Sequence, residues 1–595
     1  MTRNKENAGR PRQTLISMMA VALVMALALP ACDKEEAPDE VKAAPSLTVT
    51  AESAMNVPGN AVSTTLGITA PEGLKSLTVL KNGLPFETKP FNGETSTEYQ
   101  FEYTIESLPT GTSVNFSFTA ADMLDRQSDY KTFTVSVISK EIVEIPEGDI
   151  TGTVNWTADK IYRLNGFVRV QDGGKLYIEP GTLIIGDRES KGTLIVQMGG
   201  QIFAEGTADD PIVMTSENPP GLREPGDWGG LVVCGRAPNN VTAVTGQPVE
   251  LEGGYGGFHG GNDPDDNSGI LRYVRIEYAG IPINPNEEVN SLTMGSVGRG
   301  TVIEYVMCSY GLDDAFEWFG GTVNNRHLIA YRCLDDDWDV DLGFSGRMQF
   351  GLSVRGAALA DQSGSNGFEV DNNGAGSDAQ PYTSGVFANI SNIGPKKTRE
   401  TPISLQFQHA AQLRRNSRIS IYNSYMTGYP HGLYIDDDRG GSGQAALDGH
   451  LQIRNVYLAG VEHWGGNGYG SAGSVFEGAP SNGAQHPNNP RGVALRSHAN
   501  FPGGQEAYEE WFHTPEFNNH LVAKWQDLGI HESMFDLGIP TLTLNGASVL
   551  LNAARWDNTP KADGFFEKVP YVGAFGTHDW TLGWAEWNCH IVSYY

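Results

Sequence analysis

The chain has 595 residues, too many for one compact core, so we expect at least two folding units. Its 72 glycines, 32 prolines and 24 Phe, 22 Tyr and 11 Trp residues indicate many short strands joined by tight turns. The formal net charge of −30 argues against nucleic acid as a partner, because binding phosphate requires concentrated Lys and Arg. Such a charge suits a divalent cation or a neutral or cationic ligand, and it equally suits a secreted protein that its charge keeps soluble.

The first 31 residues are predicted to be a lipoprotein signal peptide. Basic residues precede the apolar stretch "LISMMAVALVMALAL", which is shorter than a typical membrane span. The following "LPAC", Leu29 to Cys32, resembles a bacterial lipobox, and that resemblance implies cleavage before Cys32 and lipidation of its thiol. Pro30 departs from the small residue usual at its position, so an ordinary signal peptide cleaved nearby is the alternative.

Residues 32–44 are predicted to form an acidic tether. The run "DKEEAPDE", Asp33 to Glu40, resembles the surface-export signal of lipoproteins in Bacteroidetes-type bacteria. We therefore expect a lipid anchor in the outer membrane, with the protein facing the extracellular side. A charged, proline-containing segment also extends in solution, so the run is equally explained as a solvated spacer.

Residues 45–138 alternate apolar and polar side chains, as in "SVNFSFTAAD" and "YKTFTVSVIS", between turns rich in Gly, Pro, Asn and Asp. About seven such runs in roughly ninety residues predict an Ig-like β-sandwich. The ending "ADMLDRQSDYKTFTVSV" is similar to the last strands of cadherin-like modules. The sandwich contains no cluster of potential catalytic residues, which favours a spacer or adhesive role.

Residues 150–500 are predicted to form a long parallel β-helix, and residues 501–595 to cap its open end. Short strand–turn–strand units recur, and "LDD" at Leu312 returns at Leu334 after 22 residues. Repeats of this length without helical periodicity are typical of a β-solenoid. The 22-residue step predicts that Phe316 lies opposite Trp338 and Leu328 opposite Phe350.

A family resemblance supports this fold. "LYIEPGTLIIG", "GDWGGLVV", "LRYVRIEYAG", "DDAFEWFGGTVN" and "SNGFEVDN" together resemble bacterial surface lipoproteins with a right-handed parallel β-helix of the pectin-lyase-like type. The similarity covers roughly residues 150 to 590. It implies the fold, and it says almost nothing about activity because members are mostly uncharacterised.

Strand alternation places a set of carboxylates on the outer face of the β-helix. Acidic residues in adjacent coils lie about 4.8 Å apart and repel by roughly 3 kcal/mol at an effective dielectric constant of 20. Solvent, Arg326 or Arg347, shared protons or a bound cation could offset this repulsion. The alternative is that the double aspartates serve only as turn residues that accept backbone N–H groups. The residues of a possible Ca²⁺ site are Asp313, Asp335, Asp337, Glu317, Asp339, Asp341, Glu369 and Asp371.

Two classes of function remain open. The first is a non-enzymatic surface protein for binding or adhesion, which would bind carbohydrate or another surface protein and could assist an outer-membrane uptake system. The second is a polysaccharide lyase or glycoside hydrolase that uses paired carboxylates. His259, His431 and His450 lack the flanking residues of polygalacturonase-type sites, which favours the first class. Cys234, Cys308, Cys333 and Cys589 lack metal-ligand spacing and could form two disulfides in an oxidising compartment, but they are predicted to be buried free thiols.

Overall fold

The computed structural model describes residues 42–594 except Asn286, Arg399 and residues 462–500. The predicted signal peptide, Cys32 and nearly all of the predicted tether therefore lie outside the described residues. In the part that the structure describes, the helices are too short or too polar to cross a bilayer. Strands dominate, which confirms the predicted all-β class.

The N-terminal unit consists of two sheets in a sandwich-like arrangement. One sheet has the order β1-β3-β6 and the other the order β2-β8-β7-β4-β5. Alternate residues of β3 and β7 are buried, so phenylalanines such as Phe101, Phe116 and Phe133 meet between the sheets. The eight strands are β1 Ser46–Val49, β2 Ser53–Asn56, β3 Ala61–Thr69, β4 Leu74–Lys81, β5 Leu84–Pro90, β6 Ser96–Thr104, β7 Ser113–Asp122 and β8 Lys131–Val137.

The main body is a parallel β-helix of 23 strands, as the sequence predicts. Its first coils contain β9 Glu141–Ile150, β10 Thr153–Trp156, β11 Lys160–Val170, β12 Lys175–Ile178, β13 Leu183–Gly186, β15 Gln201–Glu205 and β16 Ile212–Ser216. One continuous row of short strands follows: β14 Thr193–Val196, β17 Gly230–Cys234, β23 Leu292–Gly295, β25 Phe316–Phe319, β27 Trp338–Asp341, β29 Phe368–Val370, β31 His409–Arg414 and β33 His431–Asp436.

The other sides of each later coil come from one long strand. These strands are β20 Gly269–Glu277, β24 Val302–Ser309, β26 Asn324–Tyr331, β28 Arg347–Val354, β30 Val386–Ile393, β32 Ser420–Thr427 and β34 Gln452–Ala459, with β35 His520–Val522 closing the row. Each long strand except β35 bends at one non-glycine residue in the left-handed region, with φ between 47° and 64°. The residues at the bend are Tyr273, Tyr305, His327, Phe350, Asn389, Asn423 and Asn455.

One register prediction is wrong. Phe316 pairs with Trp338 as predicted, but Leu328 pairs with Gly351 rather than with Phe350. The turn between β27 and β28 is one residue longer than the turn between β25 and β26, so the step between the long strands is 23 residues there. Phe350 instead occupies the left-handed bend position.

Two short hairpins and two short helices project from the coils. The hairpins are β18 Val249–Glu250 with β19 Phe258–His259, and β21 Pro282–Asn284 with β22 Glu287–Glu288. The helices are α1 Thr242–Thr245 and α2 Ser442–Leu447. The first hairpin lies in the insertion between β17 and β20 and the second in the insertion between β20 and β23, and both insertions line a cavity on the short-strand row.

The C-terminal region has two parts. Helix α3, Gly504–Phe512, closes the far end of the core: Tyr508 donates a hydrogen bond to the Leu433 carbonyl and Trp511 to the Ala446 carbonyl. The remaining chain contains short 3-10 helices at Pro515–Phe517, Trp525–Leu528, Glu532–Phe535 and Trp556–Asn558. It returns along the outside of the long strands, where Trp584 packs against Tyr273 and Tyr305. The stretch "FFEKVPYVGAFGTHDWTLGW" thus covers a side of the β-helix and not its end.

Candidate functional site

The predicted outward column of carboxylates is present on the short-strand row. Glu317 of β25 pairs with Asp339 of β27, and Asp339 pairs with Glu369 of β29. Their neighbours Phe316, Trp338 and Phe368 are fully buried, and the Trp338 ring stacks on Phe316 and lies tilted against Phe368. Two-residue alternation therefore separates an aromatic interior from an acidic exterior.

The acidic column lines a cavity of about 610 Å³. Ten carboxylates and one cationic side chain, Arg414, surround it. The acidic residues are Glu252, Glu288, Asp313, Asp314, Glu317, Asp335, Asp336, Asp339, Asp361 and Glu369. The arrangement concentrates negative charge in a concave space where water screens it poorly.

Five of the predicted site residues lie in this acidic cavity: Asp313, Asp335, Glu317, Asp339 and Glu369. Three segments complete the walls. The insertion between β17 and β20 contributes Glu252, the insertion between β20 and β23 contributes Glu288, and the loop between β28 and β29 contributes Asp361. Sequence reasoning missed these three residues, because nothing in the spacing of an insertion shows which coil it folds over.

The two aspartates of each Leu-Asp-Asp copy have different roles. Asp314 accepts a hydrogen bond from the backbone N–H of Asp336 at 2.7 Å, and Asp336 accepts one from the backbone N–H of Asn366. Asn366 in turn accepts one from the backbone N–H of His409 at 3.1 Å. The second aspartate of each copy thus ties one coil to the next, as the turn interpretation predicts. All four aspartates line the cavity, but among the described residues the first aspartate of each copy, Asp313 or Asp335, makes no such bond to the backbone of the next coil.

Carboxylate oxygens approach one another closely enough to share a cation. Three groups of three carboxylates each have oxygens within 4.8 Å of one another. They are Asp313 with Asp314 and Asp335, Asp314 with Glu317 and Asp339, and Asp336 with Asp339 and Glu369. Asp314 and Asp339 each belong to two groups, so they occupy the centre of the set.

Burial raises the pKa of several carboxyls in the cavity. The pKa of Asp335 rises to about 7 through burial, opposed by the Ser363 hydrogen bond and reinforced by Asp361. Burial and then Glu288 raise the pKa of Glu252 to about 7. For Asp314 and Asp339, burial and then neighbouring carboxylates raise the pKa well above its usual value. Oδ1 of Asp335 is buried without a hydrogen-bond partner. The cavity therefore needs protons or cations to offset its charge.

Two further predicted residues lie beside the cavity and not in it. Asp371 forms ion pairs with Arg414, at 2.8 Å to Nε, and with Arg415. Asp341 accepts a hydrogen bond from the backbone N–H of Leu342 at 2.5 Å, and burial followed by Asp371 raises its pKa to about 7. Arg414 also pairs with Glu369, so it neutralises one end of the column.

Asp337 does not belong to the outer face, contrary to the prediction. Its carboxylate is fully buried, pairs with Arg355 at 2.8 Å and accepts a hydrogen bond from Tyr429 at 3.0 Å. Strand β27 begins at Trp338, so Asp337 precedes the alternating residues and lies in the turn. Alternation assigns faces only within a strand.

The other basic and imidazole groups considered from the sequence lie elsewhere. Arg347 pairs with Asp563 of the C-terminal region, and Arg326 packs over the ring of Phe565, so neither offsets the acidic column. His259 is buried with its pKa lowered to about 3 and contacts Ser296 at 2.9 Å. His431 is buried and stacks on His409. All four cysteines in the described residues are buried free thiols, as predicted.

Comparison with known proteins bears on the fold. A family model described as a pectate-lyase like beta helix domain matches residues 148–477, more than half of the chain. No curated protein matches the chain.

Two solved structures show limited likeness. Fibronectin(III)-like modules of CbhA from Clostridium thermocellum are 16% identical, with 17% of this chain and 49% of that chain covered and a TM-score of 0.14. The PKD domain of an M14-like peptidase from a Thermoplasmatales archaeon is 20% identical, with 16% of this chain and 96% of that chain covered and a TM-score of 0.13. The match thus spans about half of the first structure's length, and likenesses of this size carry no argument about function.

Proposed function

Because the chain belongs to the family of pectate-lyase-like β-helix domains, we propose that it binds carbohydrate at the acidic cavity through divalent cations and does not cleave it. The observation that carries the proposal is the charge of the cavity, where ten carboxylates face one arginine. The family suggests a carbohydrate-related role. The cavity supplies the chemistry that would hold such a ligand.

The residues of the cavity fit a hard cation. Ca²⁺ takes six to eight oxygen ligands at 2.3–2.6 Å, and carboxylates and water supply them. Each of the three carboxylate groups can give one oxygen per residue to a common point, with Asp314 and Asp339 available to two points. Sugar hydroxyl or carboxylate oxygens can complete the coordination. The bound cation thereby connects an acidic protein surface to a ligand that the bare surface would not attract.

The arrangement favours binding over catalysis. A lyase needs a basic side chain free to remove a proton, but Arg414 is engaged with both Glu369 and Asp371. His259 and His431 are buried outside the cavity, and Arg355 forms a buried ion pair with Asp337. The described residues that line the cavity include no histidine or lysine.

One observation favours an enzyme as the second candidate. The pKa of Asp335 and that of Glu252 both lie at about 7, and both residues face the cavity. A carboxylic acid that keeps its proton near neutral pH can act as a general acid, with a neighbouring carboxylate as base or nucleophile. This combination would make the protein a glycoside hydrolase.

Binding should therefore depend on calcium and on the central carboxylates. On an array of neutral and uronic acid glycans, chelation of calcium should weaken binding at least about tenfold, since the cation bridges two acidic or polar surfaces. Asp314→Asn with Asp339→Asn should have the same effect with calcium present, and Asp209→Asn, at an exposed site elsewhere, should have none. Binding that survives chelation would contradict the proposal, and newly formed reducing ends would favour the hydrolase.

We also propose that the protein is anchored to the outer membrane by lipid on Cys32 and faces outward. The lipobox-like "LPAC" and the acidic run after it support this proposal. Cells labelled with a fatty acid should incorporate label into the wild-type protein, and Cys32→Ala should abolish incorporation because the acceptor thiol is lost. Protease added to intact cells should degrade the wild-type protein. Resistance to protease on intact cells would contradict the outward orientation, and label retained by Cys32→Ala would contradict the anchor.

A further inference from the structure

We propose that the end of the β-sandwich away from the β-helix contacts a phospholipid surface, with Met123 and Leu124 entering the headgroup region. This inference rests on the proposed lipid anchor at Cys32 and adds a second membrane contact made by the folded protein itself. Three features of the sandwich carry it: an exposed apolar loop, the position at which the N-terminal segment enters, and the direction of the strands.

The apolar loop lies between β7 and β8. Met123 is 55% exposed and Leu124 is 63% exposed, although both are large apolar side chains next to one another. The loop is held in one conformation: Asp122 accepts hydrogen bonds from the backbone N–H groups of Leu124 at 3.0 Å and Arg126 at 2.9 Å. A fixed turn that presents two apolar side chains to solvent is suited to bury them in another apolar phase.

The N-terminal segment enters the sandwich beside this loop. The guanidinium of Arg126 donates hydrogen bonds to the backbone carbonyls of Lys42 at 2.6 Å and Ala43 at 3.2 Å. Cys32 precedes Lys42 by ten residues, which span at most about 35 Å when fully extended. A lipid on Cys32 would therefore hold the Met123–Leu124 loop within that distance of the bilayer.

The strands place this loop and the β-helix at opposite ends of the sandwich. Strand β8 starts at Lys131, near the loop, and ends at Val137, from which the chain continues to β9 of the β-helix. In the β4–β7 pair, Leu74 lies opposite Asp122 at the loop end, and Lys81 lies opposite Phe116 toward the other end. Membrane contact through the loop would thus direct the β-helix and its acidic cavity away from the bilayer.

The charges around the loop favour a zwitterionic surface over an anionic one. Asp125, at the tip of the turn, forms an ion pair with Lys75, and Asp129 is exposed nearby. The chain as a whole carries a net charge of −30, so an anionic membrane would repel it. Apolar contact therefore has to supply the affinity.

Vesicle binding of unlipidated protein tests the inference. The chain from residue 32 onward, carrying Cys32→Ser, is mixed with phosphatidylcholine vesicles and the bound fraction is measured by sedimentation. Weak binding is expected, and Met123→Ser with Leu124→Ser should lower the partition coefficient by about tenfold or more, since each side chain loses apolar burial. The matched control is Leu84→Ser, because Leu84 is 71% exposed at the opposite end of the sandwich. This control should bind like the parent, and anionic lipid in the vesicles should weaken binding.

The inference is overturned if the unlipidated chain does not bind these vesicles, if the double serine variant binds like the parent, or if Leu84→Ser weakens binding equally. These outcomes are separate from those of the anchor. The anchor proposal is contradicted if Cys32→Ala retains the fatty acid label in cells. The loop inference is tested with unlipidated protein and vesicles, so its result does not depend on the anchor.

Discussion

Calcium should raise the melting temperature of the protein at pH 8, and Asp314→Asn with Asp339→Asn should remove most of that increase. A cation that binds only the folded state stabilises it by RT ln(1 + [Ca²⁺]/Kd), about 2.7 kcal/mol at a hundredfold excess over Kd. Asp314 and Asp339 are the choice because each belongs to two of the three carboxylate groups. Asparagine keeps the side-chain oxygen that Asp314 presents to the backbone N–H of Asp336, so the coil-to-coil hydrogen bond survives.

Proton binding sets the pH dependence of this effect. Burial raises the pKa of the cavity residues Asp335 and Glu252 to about 7, so these groups hold protons more tightly in the folded state than in the unfolded chain. The stability they contribute is complete at pH values below about 4 and is lost as the pH rises through about 7. Without calcium, the melting temperature should therefore fall between pH 5 and pH 8. Calcium should restore it at pH 8 and have little effect at pH 5, where protons occupy the site.

Differential scanning calorimetry in calcium and in chelator measures both effects. The control is Asp209→Asn, which also removes a negative charge but does so at an exposed position away from the cavity. In chelator at pH 8, the double asparagine variant should melt above the wild type, because asparagine needs neither a proton nor a cation to stay neutral in the buried cavity. A double variant that responds to calcium like the wild type would contradict the site.

Arg355→Met should produce the largest loss of stability of any single change considered, about 3–5 kcal/mol. The guanidinium of Arg355 is fully buried and donates to Asp337 at 2.8 Å and to the Leu334 carbonyl at 2.9 Å. Without it, the buried Asp337 carboxylate would keep hydrogen bonds with Tyr429 and Ser353 but would lose its neutralising cation. An uncompensated buried charge costs far more than the ion pair itself contributes.

Urea unfolding at pH 7 measures this loss. The double variant Arg355→Met with Asp337→Asn should recover part of it, since a neutral amide leaves no buried charge behind. Arg347→Met is a useful comparison, because Arg347 pairs with Asp563 at a partly exposed position and should cost at most about 1 kcal/mol. If the free energy of unfolding of Arg355→Met lies within about 1 kcal/mol of the wild-type value, the buried ion pair does not stabilise the turn.

The sequence predicts the parts of the site that strand geometry determines. Two-residue alternation and a 22-residue step are sufficient to align Glu317 with Asp339, and the same reasoning extended to the next coil reaches Glu369. These regularities hold because each coil must bury its apolar side chains on the next one.

The prediction fails where geometry depends on turns and insertions. Asp337 precedes its strand, and Leu328 lies one residue out of the predicted register because one turn is longer. Arg414, which pairs with Glu369, lies 45 residues further along the chain, and Glu252 reaches the cavity on an insertion. Local spacing does not show which distant segments a long insertion brings together.

The returning C-terminal chain has a mechanical consequence. In a protein built from stacked coils, each coil contacts only its neighbours. Such a protein can unfold from either end, one coil at a time. Here Arg223 of an early coil donates hydrogen bonds to the carbonyls of Cys589 and Val592, while Trp525 donates one to the carbonyl of Lys397 near the later coils. An early coil therefore cannot unfold without breaking its contacts with the C-terminal segment, which also contacts the later coils. The C-terminal segment thus links early and later coils along the β-helix, which should therefore unfold as one cooperative unit.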